Sequence, residues 1–570
     1  MKSILSLALL PLALFTGGSS AHLHGPHLHA RNDCRCLPSD DCWPSDKVWA
    51  KFNSTVNGAL IATVPLGSPC HEPNYDEEAC AAVKADWKWP MTHIETSSSV
   101  MQNWFANQSC DPFVTKSKPC TLGNYVSYAV KVSDARDVAT AIKFAKAYNI
   151  RLVVRNTAHD YFGRSTGAGG LAIWTHHMKK QEVIQQWSDK LYTGPALKLG
   201  AGVQGYDSVE FAGANGLTSV PGECPTVGLA GFTLGGGHSP LSTSFGMGAD
   251  NALEYEVVTA DGQIITATAT NKHKDLYWAM SGGGGASFGV VTSMTVRAHK
   301  TTTIGGAKLT LVAGADKDAY YAAVNRFHEL LPGMIGNDST VTYILTGAYF
   351  AITPVTIANS TGDFVRDTIL APFTDYLTKA GLTFTASYST LSFRDHYALY
   401  NGPLPGGSLQ AAQFQWGGRL IPNSVVAGAD FNKLTRKFAS TGLVLAGSAG
   451  KFESLPGVSN AVPSVWRKAM ISLQFGSLWD ATRWDDMAAD QKKMTEVYMP
   501  QLKDVTPGSG TYMNEADFNE PEWKEVFYGE NWNRLVDIKR KYDPHSFFYN
   551  YKGVGSEAWT VEKNGRMCRA

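Results

Sequence analysis

Two glycine-bearing loops carry the residues of this chain best equipped for chemistry. The first follows an apolar run and reads Arg155-Asn156-Thr157-Ala158-His159-Asp160-Tyr161, then Gly163-Arg164-Ser165-Thr166-Gly167. A strand end that opens into small polar residues exposes successive backbone N–H groups, and such groups bind anions, a pyrophosphate among them. A lone histidine at such a place is more often a satisfied or surface group than a functional one. The second loop reads Pro221-Gly222-Glu223-Cys224-Pro225-Thr226-Val227-Gly228-Leu229-Ala230-Gly231-Phe232, then Leu234-Gly235-Gly236-Gly237-His238. Its glycines let a flat ligand lie against bare backbone. It is not the G-x-G-x-x-G dinucleotide fingerprint, because no such triplet bridges a strand and a helix here. A third loop, SGGGGASFGV from Ser281, precedes a strand and is a weaker sign of the same kind.

Cysteine parity points into the second loop. The chain has nine cysteines: Cys34, Cys36, Cys42, Cys70, Cys80, Cys110, Cys120, Cys224 and Cys568. An odd number leaves one thiol outside any complete set of disulfides. Cys224 stands alone in its loop, and setting it aside leaves eight, enough for four bridges whose pairing the sequence does not give. Cys224 is then either a free buried cysteine or a covalent or catalytic thiol.

The N-terminus sets the compartment. MKSILSLALLPLALF followed by TGGSSA has a lysine, a short apolar run and small residues, the pattern of a secretory signal peptide cut after Ala21. No later stretch has the ~18 apolar residues that a membrane span needs. N-x-S/T sequons at Asn53, Asn107, Asn337 and Asn359 fit a secreted glycoprotein. Lys+Arg and Asp+Glu number 50 each, so the formal charge is zero, which argues against a nucleic-acid binder. The histidine-rich HLHGPHLH has no partner cluster, and nothing else has metal-ligand spacing, so no metal site is expected.

Elements must hold the loops in place. Residues 124–132 alternate as a strand, and Ser133 is positioned as an N-cap. Val138, Ala141, Ile142 and Ala145 share one helical face. IRLVVR (150–155) is a buried strand, and the βαβ start continues through LAIW (171–174), LKLGAGV (197–203) and a helix near 205–214. Residues 252–268 form a hairpin about Asp261-Gly262, and 287–298 another strand. From about residue 301 the pattern becomes strands of mixed length separated by helices such as 316–331 and 361–379, as in an antiparallel sheet with helices on one face. A helix over 531–541 precedes YDPHSFFYNYKGVG.

The loops RNTAHDYFGRSTG and GECPTVGLAGFTLGGGH, with the C-terminal YMNEADFNEPEWKEVFYGENWNRLVDIKRKYDPHSFFY, resemble the vanillyl-alcohol-oxidase/p-cresol-methylhydroxylase (PCMH) flavoproteins. Within them they resemble the berberine-bridge-enzyme-like FAD-linked oxidases of secreted fungal type. The resemblance covers about 120–298 and 510–556 and is weaker over 301–500. It implies an α+β, two-domain FAD-binding PCMH-type fold with an antiparallel-sheet substrate domain covered by helices. The boundaries expected are a signal peptide at 1–21, a Cys-rich region at 22–119 and an FAD-binding domain at 120–300. A substrate domain at 301–505 and a C-terminal segment at 506–570 returning to the FAD domain complete them.

It also implies FAD attached twice, by His159 at the 8α-methyl and by Cys224 at C6 of the flavin ring. The leftover cysteine of the parity argument thus falls on the family's flavin ligand. Further FAD contacts are implied for Arg155, Asn156, Thr157, Ala158, Asp160, Ser165, Gly222, Thr226, Gly228, Gly231, Phe232, Gly235, Gly236, Val290, Tyr549 and Asn550. Val227 matches the position that gates oxygen access, and its small branched side chain is similar to that of an oxidase. Tyr161 matches a substrate-pocket tyrosine of related carbohydrate oxidases. Tyr512 and Glu515 lie in YMNEAD, where relatives usually read Y-x-N-Y; Glu515 is a departure, able to serve as a general base or as a structural ion pair. Arg419 in WGGRLIP and Gln474 in ISLQFGS lie on substrate-domain strands and are expected to face the pocket, though half the residues of any strand face away.

The expectation is a secreted, monomeric FAD-dependent oxidase of alcohol or carbohydrate hydroxyls, with O2 reduced to H2O2 and neither nucleic acid nor membrane as partner. Three rivals stand beside it. One is a flavin dehydrogenase with a different acceptor, and another is a secreted flavin-binding protein that has lost activity. The third is a disulfide-rich adhesion module without cofactor, which requires the His159 and Cys224 loops to be coincidental.

Overall fold

The computed structural model describes residues 34–336, 338–410 and 413–570. The expected signal peptide, the histidine-rich stretch and Asn337 lie outside the described residues. Among the described residues no helix is long and apolar enough to cross a membrane.

The first layer positions the histidine loop. Strands Tyr128–Lys131 and Leu152–Arg155 run parallel on either side of Leu171–Trp174, and Leu60–Ala62 adds an antiparallel edge. The connecting helix Ala135–Ala147 buries Val138, Ala141, Ile142 and Ala145 completely. Burial of Val138 and Ile142 contributes about 1.5–3 kcal/mol each. The N-cap is Asp134, whose carboxylate accepts the N–H groups of Arg136 and Asp137. Ser133, expected in that role, lies one residue outside and donates to the Asp137 carboxylate instead. The helix delivers the chain to Leu152–Arg155, and that strand ends where the histidine loop begins.

LKLGAGV does not join this layer. Its strand, Thr193–Gly200, pairs antiparallel with Gln181–Ser188 and Val290–Arg297 in a second sheet, which Ala252–Val258 and Ile264–Thr268 complete. Alternation has the same period in parallel and antiparallel strands, so the pattern could not distinguish the two sheets. The Asp261-Gly262 hairpin is present, with Gly262 at φ +79°.

The third sheet has seven strands, all antiparallel, in the order Phe384–Ser392, Thr303–Val312, Tyr349–Ala358, Thr340–Leu345, Val444–Ala449, Ala469–Leu478, Phe414–Pro422. Helices Lys317–Gly336, Ala371–Lys379 and Ala429–Ser440 cover one face, where Phe327, Phe350, Phe373, Phe438 and Phe475 form the core. The other face is left for the first domain. The pleat decides which residues reach it. On Phe414–Pro422, Ile421 lies in the helix-side core, whereas Leu420 packs with Trp466 and Tyr512 on the opposite side.

The C-terminal stretch returns to the first domain: Met513, Phe518, Phe527 and Leu535 share a core with Leu197, Tyr255 and Met294. The Cys-rich region is likewise integrated, since Trp49, Phe52 and Val56 pack on Val138 and Ile142. Four disulfides form, Cys34–Cys568, Cys36–Cys42, Cys70–Cys80 and Cys110–Cys120, and Cys224 is the free thiol. The molecule is the expected α+β, two-domain fold with a helix-covered antiparallel sheet.

Candidate active site

The histidine and cysteine loops meet. His159 Nε2 lies 2.7 Å from Thr226 Oγ1, and Cys224 Sγ lies 3.3 Å from the same oxygen. Burial pushes the His159 imidazole down to about 3, so it is neutral at physiological pH. Burial also pushes the Cys224 thiol up, against the opposing pull of its Thr226 contact.

Hydrogen bonds within and between the loops fix this junction. Asp160 accepts from the backbone of Phe162 and Arg164 and from the Ser165 hydroxyl, closing the turn after His159. Ala158 holds a left-handed φ of +61°, a conformation that costs an L-residue about 1–2 kcal/mol. Asn156 Nδ2 donates to Ala201 O, Gln204 Nε2 donates to Thr226 O, and the Gly228 N–H reaches Thr157 Oγ1. Three chain segments are thereby laced together beneath His159 and Cys224. Val227 follows half-buried, its N–H donating to Cys224 O. Gly231 begins the turn's outer edge beside buried Phe232, and Gly235 and Gly236 close the helix Leu229–Leu234.

A second cluster lies against the first. His238 Nδ1 is 3.2 Å from Glu223 Oε1, and its Nε2 is 3.0 Å from Glu515 Oε2. Ser448 Oγ of the third sheet donates to Glu223 Oε1 at 2.9 Å. Burial alone would lower the His238 pKa, but the charges of Glu223 and Glu515 and their hydrogen bonds outweigh it and hold the group well above its ordinary value. Glu223 is correspondingly held below the ordinary carboxylate range, His238 outweighing the upward push of burial. His238 is therefore an imidazolium flanked by two carboxylates. Tyr512 meets its ring edge-on at 5.4 Å between centroids, and Asn514 Nδ2 donates to the Tyr512 hydroxyl. Tyr397 of the substrate domain donates to Gly222 O at 2.8 Å.

Tyr161 joins the two clusters. Its phenol is pushed well above the ordinary value by burial, then by Glu515, Cys224 and Tyr512. Its ring stacks on Trp416 of the third sheet, centroids 5.6 Å apart and planes 9° apart. The sequence-predicted Tyr161, Cys224, Tyr512 and Glu515 thus lie in one buried cluster, which His159 joins through Thr226.

Other expected residues lie elsewhere. Arg419 faces the helix layer: its Nε donates to Thr506 Oγ1 and its Nη2 to Thr506 O. It falls on the same side of the pleat as Ile421, so it does not line the pocket. Gly418, next to it, faces the other way, and a Cβ there would clash with the backbone oxygen of Glu515. Gln474 pairs with Gly418 across the ladder and so shares the pocket-side face. Arg155 turns toward the N-terminal region, donating to His93 O and Thr96 O. Val290 is a core side chain against Phe547 and Phe548. Tyr549 lies beneath the Arg151 guanidinium, and Asn550 Nδ2 donates to Gly285 O.

Sequence reasoning passed over Glu223, His238, Trp416 and Ser448. For the first two a signal existed: an acid and a histidine end the two arms of one glycine-rich loop.

The residues fit a flavin. Asn156 Oδ1, Asn550 Oδ1 and Arg164 Nη2 are buried polar atoms without a protein partner, a cost unless another group meets them. A Cβ added to Gly231 would meet nothing within 4 Å, leaving open space over an otherwise buried turn.

The comparisons agree with this geometry. Residues 126–268 match the family described as FAD binding domain, and residues 511–555 match berberine and berberine like. The chain is 46% identical over 545 residues to the FAD-linked oxidoreductase ZEB1 of Gibberella zeae, covering 94% of this chain and 95% of that protein. It is 42% identical over 575 residues to the VAO-type flavoprotein oxidase VAO615 of Thermothelomyces thermophilus, covering 98% and 99%. The crystal structure of VAO-type flavoprotein MtVAO615 from Myceliophthora thermophila superposes with a TM-score of 0.90 over 94% of this chain and all of that one, at 41% identity. With the berberine-like segment folded back onto the FAD-binding domain, the chain belongs to the fungal VAO-type FAD-linked oxidoreductases.

Proposed function

We propose that this protein is a secreted, monomeric oxidase that oxidises an alcohol or carbohydrate hydroxyl, with its flavin tethered through both His159 and Cys224 and O2 as the electron acceptor, giving H2O2. The observation that carries this reading is the convergence of His159 and Cys224 on the hydroxyl of Thr226.

One hydroxyl has one proton, so Thr226 donates to one partner and accepts from the other. When Nε2 of neutral His159 carries the ring proton, it donates to Thr226, and the Thr226 proton turns toward Cys224. That arrangement leaves the His159 Nδ1 lone pair unprotonated and aims a hydroxyl proton at Cys224 Sγ, which favours deprotonation against the upward push of burial. Both side chains are then nucleophiles. The bound flavin supplies the two-electron acceptor that no side chain can provide.

The chain supplies the remainder. Glu515 accepts the substrate hydroxyl proton through Oε1, since its Oε2 is engaged with His238. Tyr161 and Trp416 form a flat wall against which a ring can lie, and Gln474 offers an amide from the facing sheet. Val227, small and branched, leaves room for O2 beside Cys224.

The test is to secrete and purify the protein, precipitate it with acid and follow the yellow colour. Colour retained in the pellet, with flavin mass on the peptides of His159 and Cys224, is the expected result. Colour released to the supernatant overturns the double tether. An alcohol and sugar panel read by H2O2 release then tests the reaction; dye reduction without H2O2 would make the protein a dehydrogenase.

A further inference from the structure

Glu223 and His238 take no part in the reaction as proposed, yet both are held by several partners. Glu223 lies just before Cys224, and His238 closes the same glycine-rich loop. Each of the two imidazole nitrogens faces a carboxylate, Glu223 on one side and Glu515 on the other. Glu223 is anchored from across the domain boundary by Ser448. Tyr512 and Trp466 enclose the imidazole, with ring centroids 5.4 Å and 6.2 Å away, and restrict its rotation.

We infer that His238 is a positioning residue held by Glu223, which fixes the orientation and the negative charge of Glu515 toward the substrate. The inference rests on Glu515 serving as the base. Two carboxylates cannot both stay ionised in one buried pocket without a cation between them; one of them would take up a proton. A protonated Glu515 could not accept the substrate proton. The imidazolium removes that conflict and leaves the line with one net negative charge. Among the described residues no other cation is seen to act on His238: Arg467, on the helix beside Trp466, is turned to Asp250, and the charged groups acting on the imidazole are Glu223 and Glu515, with the phenol of Tyr512 beside it. Tyr161 and Cys224 form the next layer, both neutral at physiological pH.

Sulfite is a probe that needs no known substrate. It is an anion that adds to oxidised flavin and bleaches its visible absorption, so its affinity reports negative charge near the ring. Titrations of the holoenzyme across pH 6–10 would be compared with each variant at the same pH, so that the ionisation of sulfite itself cancels. In the native protein, affinity falls at alkaline pH as His238 loses its proton. Glu223→Gln removes one of the two carboxylates that hold that proton, and this alkaline fall moves at least one pH unit toward acid. His238→Gln abolishes it. Glu223→Asp, which keeps the charge and withdraws it by one methylene, gives a smaller shift in the same direction and serves if the first variant yields no holoprotein. Glu515→Gln strengthens sulfite binding several-fold. An alkaline fall that stays in place in both Glu223 variants overturns this inference. Sulfite affinity unchanged in Glu515→Gln would instead remove Glu515 from the flavin and sink its role as base, and the Glu223 variants would still decide the pairing.

Discussion

Thr226 Oγ1 lies 2.7 Å from His159 Nε2, and this one contact joins a loop that leaves a parallel strand to a loop that carries the only free thiol among the described residues. Sequence places the two residues 67 positions apart. The hydroxyl decides which nitrogen of His159 keeps a lone pair, and it contacts Cys224 as well.

Replacing Thr226 by Val keeps the volume and removes the hydroxyl. The buried imidazole then lacks a partner, at a cost of about 1–3 kcal/mol. The expected outcome is a folded protein whose flavin attachment at both His159 and Cys224 falls several-fold, read by peptide mass. Thr226→Ser should restore it. Unchanged attachment in the valine variant would show that the hydroxyl does not set the geometry.

Single-tether variants separate the two linkages. Cys224 is in no disulfide, so Cys224→Ala should leave the fold intact and change the visible spectrum, while colour stays with the acid pellet through His159. His159→Ala should retain colour through Cys224. Only the double variant should release the flavin into the supernatant. If Cys224→Ala and the native protein had identical spectra and peptide masses, the cysteine would be a bystander.

What the sequence made legible was local. The helix after Tyr128–Lys131 was readable from its period, Cys224 from parity, and WGGRLIP as part of a strand. What it hid was parity and convergence. Arg419 and Gly418 are adjacent, and a pleat of period two sends only one of them to the pocket; nothing in WGGRLIP states which. The parallel or antiparallel setting of Thr193–Gly200 was likewise silent. Glu223, His238, Glu515 and Ser448 come from three distant stretches, and their meeting is a property of domain packing rather than of any motif.

Packing between the two sides of the molecule also rests on Arg467 and Asp250. The pair is bidentate, with both guanidinium contacts at 2.8 Å, and Asp250 is fully buried. Asp250 further accepts from Asn460 Nδ2 and the Met247 N–H, which fixes the chain just after the glycine loop. Removing the cation leaves a buried carboxylate unpaired, so Arg467→Ala should cost about 3–5 kcal/mol. Differential scanning calorimetry should show a clear fall in apparent Tm, and Arg467→Lys an intermediate one, because lysine cannot make the planar double contact. A change below about 1 kcal/mol would mean that the site relaxes.

Acid sensitivity follows from histidines buried in the neutral form. Burial lowers His93 and His328 to about 4 and His396 to about 3, and all three are inaccessible to solvent. His93 is met at both ring nitrogens, by Ser99 and Trp87 O, while His328 meets only Asn432 and His396 only Thr356 Oγ1, their other nitrogens being buried without a partner; none has a carboxylate to hold a charge. In the unfolded chain they titrate near 6.5. Between about pH 6.5 and 4 the unfolded state therefore binds more protons than the folded one, and stability falls as pH falls. The limiting slope is about 1.4 kcal/mol per histidine per pH unit. His238 has the opposite sign: its folded value is raised, so its contribution is present below about 6.5 and is lost as pH rises through the raised value. Tm measured from pH 8 down to 4 should drop most steeply below 6.5. His396→Gln, which retains a side-chain amide to meet Thr356 but cannot take up a proton there, should flatten that drop by about one histidine's share. An unchanged slope in that variant would show that His396 takes up protons equally in both states and does not contribute to acid unfolding.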